Sequence, residues 1–418
     1  MLKAVILLGG PQKGTRFRPL SLDIPKPLFP VAGLPTVQHH IEALAAVPGL
    51  REILLIGFFP ANQMAQFTAE MASTYKIRTR YLQEYTALGT AGGIYHFRDQ
   101  IRAGGADAFF LINGDVCGDF PLEEMLKFHE SRAGKNALVT LLATEATRQQ
   151  SCMYGCIVED KETHEVLHYV EKPSTFVSTL INCGVYICSP AIFQLLQKLH
   201  NTKQDCYKDD TDISDAIHLE VDVLKPLAGT GQSFVYSSDR WWSQIKTAGS
   251  AIYANRHYLQ LYRRNKRMDR LANSSVSPTI IGDVFVHPSA SIHPTAVLGP
   301  NVSIGKNVSV GAGVRIKESI ILGNATVQEH SCILYSIVGW NSTVGSWSRV
   351  EGTPCDPNPN KPFAKMDNVP LFNVEGRLNP SITILGCNVS VASELLVLNS
   401  IVLPHKDLPH SYKNEIIL

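Results

Sequence analysis

Apolar and polar residues follow two alternating patterns over the first 250 residues of the chain. Short apolar runs of strand length occur at 3–8, 53–57, 108–112 and 137–143. Between them lie stretches in which apolar residues return at helical spacing, such as 36–47 and 121–132. This alternation predicts an α/β, Rossmann-like domain with a mostly parallel sheet and helices on both faces. Ligands of such folds bind beyond the carboxyl ends of the strands.

After Ser277 the apolar pattern changes to a period of six residues. One series is Ile280, Val286, Ile292, Leu298, Ile304, Val310 and Ile316, and a second is Val284, Ala290, Ala296, Val302, Val308, Val314 and Ile320. The repeat predicts a parallel β-helix in which each repeat contributes one short strand and three repeats complete a coil. Each coil buries its inward side chains by stacking on its neighbours.

The six-residue pattern breaks over 352–380. This segment is rich in Pro and Asn and has no periodicity, and the pattern resumes at ITILGCNVSV. A loop of this length inside a solenoid is more often functional or disordered than a plain connection. The sequence leaves both of those interpretations open.

These patterns divide the chain into three parts. We expect an α/β domain over 1–250, a connecting helix and linker over 251–278, and a β-helix over 279–418 that carries the loop 352–380. The basic residues of the connecting helix suit a solvated face better than a binding patch.

Composition narrows the classes of partner and location. The 418 residues include 38 Lys and Arg against 37 Asp and Glu, a formal charge of +1 that gives no reason to expect a nucleic acid or an anionic membrane as partner. The nine cysteines are scattered without metal-ligand spacing, as is typical of buried reduced thiols. No run is apolar for long enough to span a bilayer, and MLKAVILLGG is more typical of a buried strand than of a secretory signal. We therefore expect a cytoplasmic protein.

The loop GGPQKGTRFRPLSLDIPKP, at 9–27, is suited to a nucleoside polyphosphate. Its glycines allow the backbone to approach phosphates, and Arg16, Arg18 and Lys26 supply positive charge. The alternative is a strand-to-helix turn with surface cations. Asp115 follows the apolar run 108–112 and offers a carboxylate of the kind that Mg²⁺ prefers.

Further motifs follow in a fixed order: QEYTALGTAGG at 83–93, NGDV at 113–116, EKP at 171–173 and NCGVY at 182–186. With the loop at 9–27, they resemble the sugar-nucleotide pyrophosphorylases, or sugar-1-phosphate nucleotidyltransferases, and most of all the mannose-1-phosphate guanylyltransferases. The resemblance covers both domains, since many of these enzymes carry a carboxyl-terminal left-handed β-helix.

The resemblance implies a set of site residues. Nucleotide-binding positions are Gly9, Gly10, Gly14, Thr15, Arg16, Lys26, Gln83, Gly89, Thr90 and Asp115, and sugar-phosphate-binding positions are Gly155, Glu171, Lys172, Asn182 and Gly184. The resemblance also implies that Asp115 is a ligand of Mg²⁺, which we expect to bind weakly. Without the resemblance, Glu171 and Lys172 would be read as an exposed ion pair and Asn182 as an amide at a strand edge.

Two departures from the family pattern affect catalysis. A second metal carboxylate is expected in a Trp-x-Asp-Ile-Gly segment, but the chain has Gln244 and Lys246 at those positions. Gln244 is a neutral amide and a poor ligand for a hard cation. The insertion of Pro11, Gln12 and Lys13 shifts Arg16 relative to a triphosphate, and misplacement by about 1 Å costs about a hundredfold in rate.

The resemblance and these departures together predict a pseudoenzyme. We expect a regulatory subunit that binds GDP-mannose, forms homo-oligomers and acts on a catalytic guanylyltransferase (beta) subunit. In this interpretation the loop 352–380 is the regulatory segment, and its apolar anchors are Phe363, Met366, Leu371 and Phe372.

Three alternatives remain open. The chain could be an active mannose-1-phosphate guanylyltransferase in which water completes the metal shell around Asp115. It could be a scaffold subunit without a ligand. It could be an acyltransferase of the hexapeptide class, with His287, His293 or His330 as the base, although turn or surface histidines are the more ordinary interpretation of these positions.

Overall fold

The computed structural model describes residues 1–10, 15–22, 24–132, 134, 136–207, 216–273, 277–367 and 370–418, with side chains omitted over 204–207. Its contacts divide the chain into two compact units. The first contains Met1–Lys13, Val37–Trp242 and Asn358–Lys365, and the second contains Gly14–Thr36, Ser243–Pro357 and Met366–Leu418. The units therefore do not follow a single cut in the sequence, because 14–36 belongs to the second and 358–365 to the first.

The first unit is built from strands and helices that alternate along the chain. Its strands are β1 (Leu2–Gly9), β2 (Leu50–Gly57), β3 (Arg78–Gln83), β4 (Ala108–Asn113), β5 (Val139–Glu145), β6 (Gly155–Glu159), β7 (Val166–Glu171), β8 (Leu180–Cys188) and β9 (Ser233–Ser237). Its helices are α1 (Thr36–Ala45), α2 (Ala61–Tyr75), α3 (Gly89–His96), α4 (Arg98–Arg102), α5 (Leu122–Arg132), α6 (Arg148–Ser151) and α7 (Ile192–Tyr207), with a π-helix at Leu219–Leu224 and a short α-helix at Lys225–Leu227. All four predicted strands and both predicted helices are present.

The strands β1 to β9 form one mixed sheet of nine strands, and a further short strand of the first unit, Val116–Gly118, lies outside it. Their order is β7-β6-β8-β4-β1-β2-β3, and β5 pairs with both β8 and β9. The strands β4, β1, β2 and β3 are parallel, whereas β8 is antiparallel to both β4 and β5. The expected mostly parallel sheet thus describes one half of the sheet, and β8 makes the other half largely antiparallel.

An apolar core fills the space between the sheet and its helices. The central strands supply completely buried residues such as Val5, Leu54 and Leu111, and α3 adds Ile94. Strands β1, β2 and β4 are buried on both faces, which explains why their sequences are continuous apolar runs rather than alternating ones.

The second unit contains the predicted β-helix. Its described strands form three parallel sheets of seven, seven and six short strands. Thr279–Ile280 pairs with Val297–Leu298, and Val284–Val286 pairs with Val302–Ile304, so one coil takes 18 residues at the start. This arrangement is consistent with the left-handed β-helix that the sequence predicts.

The loop 352–380 leaves the β-helix ladder intact. The strand before it, Arg349–Glu351, and the first strand after it, Thr383–Leu385, belong to consecutive faces of the helix. Thr383–Leu385 pairs in parallel with Ser336–Val338 of the preceding coil. The loop is therefore an insertion at a corner, and packing of the coils does not require it.

A long helix, α8 (Ala248–Arg264), packs within the second unit. It begins at Ala248, before the connecting region expected over 251–278, because Thr247 and Ser250 form a reciprocal capping box at its start. Asn255 on this helix accepts hydrogen bonds from the Ala32 amide at 2.8 Å and the Ser303 hydroxyl at 2.6 Å. None of the described helices is apolar over a length that could cross a membrane.

Candidate functional site

Several predicted site residues of the first unit lie at one edge of its sheet. Gly9 closes β1, Gln83 closes β3, and Asn113 closes β4 and leads to Asp115. Because these strands are parallel, their carboxyl ends meet at the same edge. This is the edge at which open α/β sheets bind ligands.

The side chain of Gln83 is held in one orientation. Its Oε1 accepts a hydrogen bond of 3.0 Å from the amide of Ala61, the first residue of α2, whose N–H has no partner within its own helix. A backbone N–H can only pair with the oxygen of the amide, so the Gln83 oxygen is occupied. The two N–H donors on Nε2 have no partner in the described part of the chain and are available to a ligand.

Gly89 and Thr90 at the start of α3 are covered by the segment that precedes the π-helix. The Ile217 carbonyl accepts hydrogen bonds from the amides of Ala91 and Gly92, at 2.9 and 3.2 Å. A Cβ on Gly89 would lie 2.4 Å from that carbonyl oxygen, and Gly89 has a φ of +78°, so only glycine fits there. The exposed amides of α3 are thus used by the protein itself.

The turn that carries Asp115 is supported by a buried histidine that sequence reasoning missed. His40 Nε2 lies 2.6 Å from the carbonyl oxygen of Val116, so this nitrogen carries the proton. Burial lowers the pKa of His40 to about 4, and its Nδ1 has no partner among the described residues. A neutral His40 therefore fixes the backbone directly after Asp115. The signal in the sequence, a histidine on an apolar helix face, was not specific enough to reveal it.

The sugar-phosphate positions form a connected polar cluster. Glu171 Oε2 accepts a hydrogen bond of 3.0 Å from the Tyr169 hydroxyl, and Glu171 Oε1 lies 3.1 Å from Lys172 Nζ. Asn182 Nδ2 donates to the hydroxyls of Tyr169 and Tyr186, at 3.1 and 2.8 Å. The structure therefore brings Glu171, Lys172 and Asn182 together, and it adds two tyrosines that the motifs did not include.

Two glycines frame this cluster. A Cβ on Gly155 would lie 2.1 Å from the Tyr169 hydroxyl and 2.9 Å from Glu171 Oε2. The amide of Gly184 donates to Asn182 Oδ1 at 3.0 Å and so orients the Asn182 side chain. Gly184 has a φ of +72°, and a Cβ there would lie 2.7 Å from Asn113 Nδ2, so both positions favour glycine.

Other predicted site residues belong to the second unit. Thr15 and Arg16 lie in a 3-10 turn, and Lys26 begins another, with its Nζ 5.8 Å from the centre of the Phe17 ring. Gln244 ends the short strand Trp242–Gln244. The predicted set is thus divided between the two units. Gly14 and the insertion 11–13 lie outside the described residues.

The residues present do not form a conventional magnesium cage. In the described ranges, no group of three or more His, Cys, Asp or Glu side chains is placed to hold a metal ion. Asp115 supplies one carboxylate, and Mg²⁺ remains a prediction. We derive no chemical step through it.

Part of the inserted loop is held by the first unit. Gln150 on α6 makes two hydrogen bonds with the backbone of Lys365: its Nε2 donates to the Lys365 carbonyl at 2.7 Å, and its Oε1 accepts from the Lys365 amide at 2.8 Å. Lys365 Nζ lies 3.4 Å from Thr144 Oγ1 and 5.9 Å from the centre of the Trp242 ring. Burial lowers the pKa of Lys365. No sequence pattern predicted this contact.

The apolar anchors predicted in the loop differ in exposure. Phe363, Leu371 and Phe372 are each about half exposed, whereas Met366 is buried. Met366 is therefore not available as an anchor in this conformation.

The histidines considered for acyl transfer are engaged in local structure. His287 Nδ1 lies 2.9 Å from Ser289 Oγ, and His293 Nδ1 lies 2.9 Å from Thr295 Oγ1, each within its own turn. The ring of His330 stacks on Trp347 with 4.3 Å between their centres. These contacts account for all three residues as turn and surface histidines.

Comparison with known proteins covers the full chain. A family described as nucleotidyl transferase matches residues 3–260, and one described as the GMPPB C-terminal domain matches 280–417. Relatives named mannose-1-phosphate guanylyltransferase regulatory subunit alpha are 60% identical in Xenopus tropicalis and 59% identical in Drosophila melanogaster, and the alpha-B form of Danio rerio is 59% identical. Each alignment covers 100% of both chains.

A solved structure supports the fold. A Bacillus anthracis protein described as a glucose-1-phosphate thymidylyltransferase, in complex with a sucrose, has a TM-score of 0.50 and 19% identity, covering 61% of this chain and 94% of its own. Together with the full-length relatives, these matches show that the chain belongs to the nucleotidyl transferase family, in the group of mannose-1-phosphate guanylyltransferase regulatory subunits alpha.

Proposed function

We propose that this chain is a cytosolic regulatory subunit that binds GDP-mannose and, in response, slows a catalytic mannose-1-phosphate guanylyltransferase. The observation that carries the proposal is the contrast between two sets of family positions. The cluster around Glu171 and Asn182 is complete and internally hydrogen-bonded, while the position of the family's second metal carboxylate holds Gln244.

The contrast separates binding from catalysis. Transfer of a nucleotidyl group brings two anions together, so a cation held by carboxylates stabilises the transition state. Gln244 carries no charge to hold such a cation, and Lys246 adds a positive charge two residues later. A finished nucleotide sugar needs no such stabilisation, because binding it involves no change of bonding at phosphorus.

The inserted loop is the segment that we assign to regulation. Its half-exposed Phe363, Leu371 and Phe372 are suited to contact a partner, since aromatic and aliphatic anchors dominate the energetics of interfaces. The β-helix ladder closes without the loop, so coil packing does not account for its presence. The partner of this surface is the catalytic guanylyltransferase subunit, and the chain also forms homo-oligomers.

Calorimetry on the isolated chain tests the binding half of the proposal. We expect saturable binding of GDP-mannose and weaker binding of ADP-glucose, which differs in both base and sugar. Adding the chain to the catalytic subunit should then lower the rate of GDP-mannose synthesis as GDP-mannose accumulates. Absence of GDP-mannose binding at millimolar concentration would contradict the proposal.

A further inference from the structure

A carboxylate outside the family motifs lies on a short helix that contacts both α3 and β7. Glu220 is the second residue of the π-helix Leu219–Leu224, and π-helical turns occur frequently at functional sites. Thr90 Oγ1 donates a hydrogen bond of 3.3 Å to Glu220 Oε2 and accepts one of 2.8 Å from the amide of Leu219. Glu220 is thus attached to the segment predicted to meet the nucleotide.

The same carboxylate also acts on the sugar-phosphate cluster. Burial raises the pKa of Tyr169 and of Tyr186, and the charge of Glu220 raises both further. Burial, and after it the charge of Glu171, raises the pKa of Glu220 itself. The π-helix that carries Glu220 contacts α3, which begins with Gly89 and Thr90, and β7, which ends with Glu171.

The cluster has unused capacity for hydrogen bonds. A carboxylate has about four acceptor positions, and the one side chain that donates to Glu220 among the described residues is Thr90, at a long distance of 3.3 Å. The hydroxyl of Tyr186 is completely buried and accepts from Asn182, and its own proton has no acceptor in the described part of the chain. The Glu220 carboxylate, which is only partly buried, thus suits a ligand whose groups donate hydrogen bonds.

Resting on the proposed function, we infer that Glu220 is a sugar-recognition residue, whose carboxylate accepts hydrogen bonds from hydroxyl groups of the bound hexose. Hydroxyl groups of a hexose are donors of the kind that this carboxylate can accept. A phosphate would not meet this need, because a phosphate is itself a hydrogen-bond acceptor. Guanine also offers donors, at N1 and N2, and a comparison of GDP-mannose with GDP distinguishes recognition of the base from recognition of the sugar.

The ordinary alternative is that Glu220 only supports Thr90. Both functions predict that loss of the carboxylate weakens ligand binding. The measurement must therefore separate affinity for the sugar from affinity for the nucleotide. GDP serves as this control ligand, because it shares the base, ribose and two phosphates of GDP-mannose and lacks the hexose. Glu220→Gln keeps the shape and the Thr90 hydrogen bond while removing the charge.

Asp222 provides a matched control variant on the same π-helix. Its Oδ2 accepts from the His218 amide at 2.7 Å and from Lys203 Nζ at 2.9 Å, so it stabilises the helix through other contacts. Asp222→Asn should reduce the thermal midpoint of unfolding and leave the ratio of GDP-mannose to GDP affinity unchanged. Any effect of helix stability on binding is thereby measured separately.

Calorimetric titration of the full chain with GDP-mannose and with GDP tests the inference. We expect Glu220→Gln to weaken GDP-mannose binding about tenfold, as lost charge-assisted hydrogen bonds imply, with GDP affinity changed less than twofold. Equal weakening for both ligands, or no weakening for either, would overturn the role of Glu220 and leave the proposed function standing. Failure of the unmodified chain to bind GDP-mannose would overturn both.

Discussion

Gln150 and Lys365, which are 215 residues apart, are joined by two hydrogen bonds through one side-chain amide. The amide of Gln150 meets the backbone of Lys365 as a neighbouring strand would, with one donor and one acceptor. This contact holds residues 358–365 of the inserted loop in the first unit. The loop that we assign to regulation thus has a docked conformation within its own chain.

Removing the Gln150 side chain should free this part of the loop. Gln150→Ala deletes both hydrogen bonds, so we expect faster hydrogen exchange at the Lys365 amide and faster proteolysis between Asn358 and Lys365. Gln149→Ala, an exposed neighbour on the same short helix, should change neither rate. Equal protection in both variants would show that the two hydrogen bonds do not hold the loop.

Docking of Lys365 should also depend on pH. Burial lowers the pKa of Lys365 below its ordinary value of 10.5, so the docked loop binds fewer protons than the released loop. Docking should therefore strengthen as pH rises from the lowered pKa towards 10.5 and stay constant below that window. The measurement is the exchange protection of the Lys365 amide, corrected for the intrinsic exchange rate. Protection that falls with rising pH would contradict the burial of the ammonium group.

Lys172 should contribute to ligand affinity as a phosphate contact. Its ammonium group is largely exposed and pairs with Glu171 at 3.1 Å, so it can turn towards a ligand without breaking the core. Lys172→Ala should weaken GDP-mannose binding at least about tenfold, since a charge-assisted hydrogen bond contributes about 1.5–3 kcal/mol. Lys161→Ala, an exposed lysine in the turn at the opposite end of the β6–β7 hairpin, is the control. Unchanged affinity in calorimetry would mean that Lys172 does not face the ligand.

The orientation of the Gln83 side chain predicts that the ligand's base is guanine rather than adenine. With Oε1 held by Ala61, Gln83 presents donors, which match the O6 and N7 acceptors of guanine better than the N6 amino group of adenine. Gln83→Glu replaces these donors by an acceptor and should weaken GDP-mannose binding at least about tenfold. Gln63→Glu, on the exposed face of α2, controls for the added charge. A Gln83→Glu variant that still binds GDP-mannose with full affinity would place the base elsewhere.

Deletion of the loop should separate folding from regulation. Because Ser336–Val338 pairs directly with Thr383–Leu385, replacing 354–380 by a Gly-Ser linker should preserve the β-helix and the affinity for GDP-mannose. The same variant should lose its effect on the catalytic partner. The measurement is partner rate against GDP-mannose concentration. Feedback equal to that of the full-length chain would place the regulatory surface outside the loop.

The periodic parts of the fold could be predicted from sequence because periodicity reports local burial. The six-residue repeat specified the β-helix strands, and continuous apolar runs specified β1, β2 and β4. The direction of β8 could not be predicted, since the apolar run LINCGVYIC fits a parallel and an antiparallel strand equally well.

Only the site residues that lie in family motifs could be predicted from the sequence. Glu171, Lys172 and Asn182 were found through resemblance, and the structure brings them together. His40, Glu220 and the Gln150–Lys365 contact depend on residues that are distant in the chain, and each residue alone has an ordinary surface or core interpretation. Contacts between such residues become visible only in the folded structure, where they are neighbours in space.

The rate of GDP-mannose formation by the isolated chain tests the central claim most directly. The assay supplies GTP, mannose 1-phosphate and Mg²⁺ and uses an active homologue as reference. Because Gln244 replaces a metal carboxylate and Pro11, Gln12 and Lys13 depart from the family's sequence in the phosphate loop, we predict a rate more than tenfold below the reference, with Gln244→Asp alone failing to restore it. A rate within tenfold of the reference would contradict the assignment of this chain as a regulatory, non-catalytic subunit.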